Sequence, residues 1–140
     1  MLYDYQQHSK EATMGRNWRR EVARLCVGLL RSANYGRLPG VCVADWREIA
    51  RRFGVALHVT TRPGPPGAVI LDDVIVVRSR STDRQTCAAI AHELTELLLT
   101  TEVEAPYCHP VSWCVSQSEE RHLVAREVES QLGLRRGFAH

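Results

Sequence analysis

From Asn17 to Ser32 the apolar residues Trp18, Val22, Leu25, Cys26, Leu29 and Leu30 recur at helical spacing, with Arg19, Arg20, Glu21 and Arg24 between them. That pattern predicts an amphipathic helix, with Asn17 as its N-cap. The preceding residues 1 to about 15 show no clear period and read as a frayed, flexible N-terminal segment. "NYGRLPG" ends the first helix. "ADWREIARRFG" follows as a shorter one, with Asp45 placed to cap it, Trp46, Ile49, Ala50 and Phe53 as its apolar face, and Gly54 where a helix stops. "VALHVTT" is a strand, and "RPGPPG" a stiff turn that neither helix nor strand crosses. "AVIL-DD-VIVV" reads as a hairpin about Asp72 and Asp73.

A third helix occupies "TDRQTCAAIAHELTELLLT", residues 82 to 100. Thr82 and Gln85 make a capping box at its start, and Ile90, Leu94, Leu97 and Leu98 form its core stripe. "TEVEAPYCHPVSWCVSQ" is a long irregular loop of the kind that carries function in compact domains. Ser116 and Glu119 offer a second capping box for a last helix, which carries Leu123, Val124, Ala125, Val128 and Leu132 and stops near Gly133. The expectation is one α+β domain over residues 1–140, with about four helices packed on a small three-stranded sheet.

Composition narrows the class. With 140 residues and 44% apolar positions the chain can build a core of its own. No apolar run approaches a membrane span, and the polar start "MLYDYQQHSKEATMG" lacks the apolar core of a signal peptide. A net charge of +2 gives no electrostatic case for direct nucleic-acid binding. Five cysteines without a C-x-x-C fit a reducing cytoplasm better than a disulfide framework. Seventeen arginines against the single Lys10 look like the mark of a GC-rich, bacterial genome.

The chemistry centres on H-E-L-T-E, His92 to Glu96. Zinc peptidase helices read H-E-x-x-H, so Glu96 stands where a second His would be. Residues four apart share a helix face, so His92 and Glu96 project side by side, and imidazole and carboxylate are both zinc ligands. Glu93, about 100° round the helix, would stand beside the metal as general base to a metal-bound water. The helix from Cys87 to Leu99 contains no Lys or Arg and is apolar on nearly every side. Charges buried there need a metal or a partner. Taken alone, three fixed positions in five also fit one wet edge of an ordinary amphipathic helix.

The wider context resembles one family. "VADWREIARRFGVALHV", a Gly-rich turn, then "VILDDVIVVRSRSTDRQTCAAIAHELTELLL" is similar in order and spacing to the ImmA/IrrE zincin-like metallopeptidases. The likeness covers roughly Val22 to Leu132. It implies a zincin-like fold with the metal motif on a central helix, and cleavage of a repressor-type transcription regulator or another protein or peptide substrate. It also implies a third ligand from the last helix. Aligning "SEERHLVAREVESQL" on the family pattern puts His122 at the position of the ligand Glu, so His92, Glu96 and His122 would hold Zn2+ through a reciprocal exchange of His and Glu. Glu119 or Glu120 stays open as the third ligand, giving a carboxylate-rich site better suited to Mn2+ or Fe2+. In the long loop, Tyr107 and His109 are candidates to contact substrate or stabilise an oxyanion, while Cys108, His109 and Cys114 match no common zinc spacing. Two further readings stand beside an active peptidase: a catalytically inactive metal-binding regulatory module, and an interaction module that has lost its metal.

Overall fold

The computed structural model describes residues 2–61, 68–71, 74–79, 82–100, 115 and 117–135, with side chains from residue 17 onward except in 68–71. In chain order the elements are α1 (Leu2–Ala33), α2 (Val43–Arg52), β1 (Ala56–Thr60), β2 (Ala68–Leu71), β3 (Val74–Arg78), α3 (Asp83–Thr100) and α4 (Ser118–Gln131). The architecture is α+β: four helices and a small sheet in the strand order β1-β3-β2. β1 and β3 run parallel, with Leu57 opposite Ile75 and Val59 opposite Val77. β2 returns antiparallel along the other side of β3, with Leu71 opposite Val74, the strand pairing expected of the hairpin. Alternation does the sorting on β1 and β3. Leu57, Ile75 and Val77 enter the core, and His58 faces outward.

α3 packs against α4, α2 and the sheet, and α1 lies along α4. The core between them is built from Leu30, Trp46, Ile49, Ile75, Ile90, Leu94, Leu99, Val124 and Val128, all fully buried. Trp46 is accommodated there because its indole Nε1 donates to the carbonyl of Gly40 at 2.8 Å. Among the described residues no helix is long and apolar enough to cross a membrane.

Three helix starts differ from the sequence reading. α1 begins at Leu2, so Asn17 lies inside the helix and caps nothing. Residues 5–14 are mostly good helix formers such as Gln, Lys, Glu, Ala and Met, with no apolar stripe to reveal them. α2 begins two residues before Asp45, with Cys42 as an extended N-cap. Asp45 lies in the first turn instead, where a carboxylate favours the helix dipole. α4 takes Gln117 as N-cap with no side-chain cap bond, and Ser116 falls outside the described residues.

The helix ends follow their glycines. Gly54 has φ +77 and Gly133 φ +72, backbone that side chains disfavour. After α2, Gly54 N–H donates to Arg51 and Val55 N–H to Ala50, each at 2.9 Å. After α4, Gly133 N–H donates to Ser130 and Leu134 N–H to Glu129, at 3.0 and 2.9 Å. Both are Schellman closures, and each turns an apolar residue, Val55 or Leu134, back into the core.

Candidate metal centre

The register of α3 is set at its first residues. Thr82 Oγ1 accepts the Gln85 N–H at 3.1 Å, and Gln85 Oε1 accepts the Thr82 N–H at 3.3 Å, the reciprocal pair expected of T-x-x-Q. Cys87, Ile90, Ala91, Leu94 and Leu98 then pin one side of the helix into the core. His92, Glu93 and Glu96 emerge on the other side, partly buried, towards α4.

Three donor atoms converge there. His92 Nε2 lies 2.7 Å from Glu96 Oε2 and 3.1 Å from His122 Nδ1. Glu96 Oε2 and His122 Nδ1 are 3.8 Å apart. Donors about 2.0–2.1 Å from a tetrahedral zinc stand about 3.3 Å from one another, and the three separations straddle that value. His92, Glu96 and His122 are thus a group of side chains able to hold a metal ion. The two imidazoles meet edge to face, with ring centroids 4.7 Å apart. Exposure rises across the group, from 14% for the His92 side chain to 24% for Glu96 and 50% for His122. The open side is therefore the side of α4's first turns.

The other nitrogen of His92 is also engaged. Its Nδ1 lies 2.6 Å from Glu129 Oε2, and the Glu129 side chain is only 9% exposed. The sequence reading gave Glu129 no role. A signal was present: Glu129 follows His122 by seven residues, two turns along the same face of α4, and adjoins the buried Val128. A carboxylate beside a core stripe needs a partner, and His92 is that partner.

The local field is acidic. Burial pulls the His92 pKa down, but the hydrogen bond to Glu129 and the charges of Glu129, Glu96 and Glu93 outweigh it, so the net shift is upward. Glu93 is raised as well, first by burial, then by Glu96 and Glu129, with His92 opposing. Among the described residues Glu93 has no hydrogen-bond or ion-pair partner. A partly buried, unpaired carboxylate with a raised pKa, next to a metal-ligand group, suits proton transfer.

The other sequence candidates lie elsewhere. Glu120 is held by Arg19 of α1, which donates from Nε at 2.9 Å and from Nη2 at 2.7 Å. That contact holds the Glu120 carboxyl below its usual range, through the hydrogen bond first and the charge of Arg19 second. Glu119 is exposed, and neither glutamate joins the converging group. In this structure the turn of α4 directs Glu120 to Arg19 of α1 and His122 to His92 of α3, so His122 is the residue of the three that meets His92 and Glu96. Tyr107, Cys108, His109 and Cys114 lie outside the described residues. Comparison with family models, with curated proteins and with solved structures gives no match for this chain.

Proposed function

We propose that this chain is a zincin-like, zinc-dependent metallopeptidase of the ImmA/IrrE kind, cleaving a regulatory protein partner in the cytoplasm. The observation that carries the reading is the convergence of His92 Nε2, Glu96 Oε2 and His122 Nδ1 from two helices. The charge balance supports it. Glu93, Glu96 and Glu129 crowd one partly buried region, and α3 has no Lys or Arg between Cys87 and Leu99 to offset them. A divalent cation would supply the missing charge. Two imidazoles and one carboxylate keep the ligand set of the resembled family and suit zinc. The free cysteines Cys26, Cys42 and Cys87 are compatible with a reducing compartment.

Zinc, when bound, would polarise the scissile carbonyl and acidify a water at its open position. His92, Glu96 and His122 would hold it from one side and leave the solvent side free for the peptide. Glu93 would take the proton from the attacking water and return it to the leaving amine.

A second reading is a metal-binding regulatory module of the same fold that cuts nothing. The specific observation in its favour is Glu96 itself, a carboxylate where peptidases of this kind carry a second imidazole.

The test is in two steps. Purified protein should carry about one zinc per chain, measured by elemental mass spectrometry. His92→Ala, Glu96→Ala and His122→Ala should lose it, and Glu93→Gln should keep it. A peptide library digested by the zinc-loaded protein should then yield fragments that Glu93→Gln does not produce. Full metal retention with no Glu93-dependent fragments would establish the second reading. Metal-free protein with no uptake of added zinc would refute both.

A further inference from the structure

We propose that Glu129 is the positioning residue of this centre: it accepts the hydrogen bond of the His92 Nδ1–H and so commits Nε2 to the metal. The inference rests on the metal-binding reading above and adds a residue that the H-E-L-T-E motif does not contain.

The geometry is specific. Neutral imidazole has one protonated and one free nitrogen, and only the free one can ligate. His92 Nδ1 faces Glu129 Oε2 at 2.6 Å, a close hydrogen-bond contact with a carboxylate oxygen. A carboxylate at that point accepts a proton and cannot give one, so Nδ1 carries the hydrogen. Nε2 is left pointing at Glu96 and His122, the two other donors of the group. Histidine ligands are commonly oriented by just such an outer carboxylate, which also makes the coordinating nitrogen more basic.

Glu129 has no competing task. Among the described residues, its side chain has His92 as its polar partner and no other. That side chain is only 9% exposed, so water does little to solvate it. A glutamate at this depth, placed only to fill space, would sit with its charge uncompensated.

One helix supplies both contacts. His122 and Glu129 are seven residues apart on α4, about 10.5 Å along its axis and within about 20° of the same face. The His92 ring lies between them, with Nε2 towards the first and Nδ1 towards the second. α4 therefore delivers a ligand and the group that aims its partner ligand. A slip of α4 by one residue would turn both away by about 100°.

The experiment compares zinc affinity in the full chain, by competition with a chromophoric chelator, for the wild type, Glu129→Gln and Glu129→Ala. Glu129→Gln should weaken zinc by about 10- to 100-fold, because an amide oxygen is a weaker acceptor for the Nδ1 proton. Glu129→Ala should weaken it at least as much. Two readouts separate aim from folding. In zinc-loaded wild type, nitrogen-15 spectra should show His92 with a protonated Nδ1 and a metal-bound Nε2. In cobalt-substituted protein, the visible bands should move in Glu129→Gln while circular dichroism stays the same. Wild type that binds zinc alongside Glu129→Gln of equal affinity and unchanged cobalt spectrum would overturn this role and leave the metal site standing. Wild type that takes up no zinc would overturn both.

Discussion

His92 Nε2 and Glu96 Oε2 stand 2.7 Å apart, one turn along α3. A bare imidazole nitrogen and a carboxylate oxygen repel at that distance, so a proton or a cation has to lie between them. Nδ1 already donates its hydrogen bond to Glu129. Without metal, the carboxylates of Glu96 and Glu129 on either side favour a proton on His92, the direction in which its pKa is shifted against the effect of burial. A metal ion would take the place of the Nε2 proton.

Proton and zinc should then compete. Because the folded pKa of His92 lies above the ordinary 6.5, apparent zinc affinity should fall with pH sooner than for an unperturbed histidine. The metal-free protein shows the converse. Its charged His92 contributes stability that is fully present below the unfolded pKa and lost as pH rises through the folded one. The thermal shift on adding zinc should thus be larger at about pH 8 than at about pH 6. Equal shifts at the two values would show that His92 carries no proton to displace.

The Arg19–Glu120 pair should matter for stability and not for metal. It ties the first turn of α4 to α1 through two nitrogen–oxygen contacts and is partly shielded, with side chains 35% and 26% exposed. Glu120→Gln should cost about 0.5–1 kcal/mol at neutral pH, near the top of the range for exposed pairs, and should leave zinc content intact. Glu120 has a depressed folded pKa. Its contribution is present above the unfolded value and lost as pH falls through the folded one. Urea unfolding of wild type and variant should accordingly converge in acid. Zinc lost in Glu120→Gln, with the fold intact, would return Glu120 to the ligand set.

Gly133 should report on the backbone alone. A Cβ there meets nothing within 4 Å, so Gly133→Ala introduces no clash, only φ +72 in a residue with a side chain. The cost should be about 1–2 kcal/mol. Leu134→Ala, which removes a buried side chain just beyond, should cost about 2–5 kcal/mol. An unchanged melting temperature in Gly133→Ala would mean that α4 ends without the left-handed turn.

Much of this was legible in the chain because the signals were local. The capping box of α3, the hairpin, the two stop glycines and the side-by-side His92 and Glu96 each depend on residues at most a few apart. What the chain hid was pairing at a distance. Glu120 and His122 are two residues apart on α4, and only the packing of α1 and α3 on either side decides that one meets Arg19 and the other His92. Glu129 was missed for the same reason, since its partner is 37 residues away. Helix starts were misjudged where no side chain caps the backbone, at Cys42 and Gln117. The long start of α1 carries no apolar period to read.

Thr95 offers a last test, from inside α3. It is fully buried, and its Oγ1 has no hydrogen-bond partner among the described residues. A buried hydroxyl left unpaired costs about 1–3 kcal/mol. Valine keeps the branch at Cβ and is close to threonine in helix preference, so the exchange changes little besides the hydroxyl. Thr95→Val should therefore stabilise the protein by about 1 kcal/mol, raising the melting temperature by about 2–4 °C. Thr95 is buried in the core, whereas His92 and Glu96 are partly exposed towards α4, so zinc affinity should not move. If Thr95→Val instead loses about 1 kcal/mol or more, the hydroxyl has a partner in the folded protein. If it lowers zinc affinity with stability unchanged, Thr95 acts on the ligands beside it, and the core and the metal face of α3 are not independent.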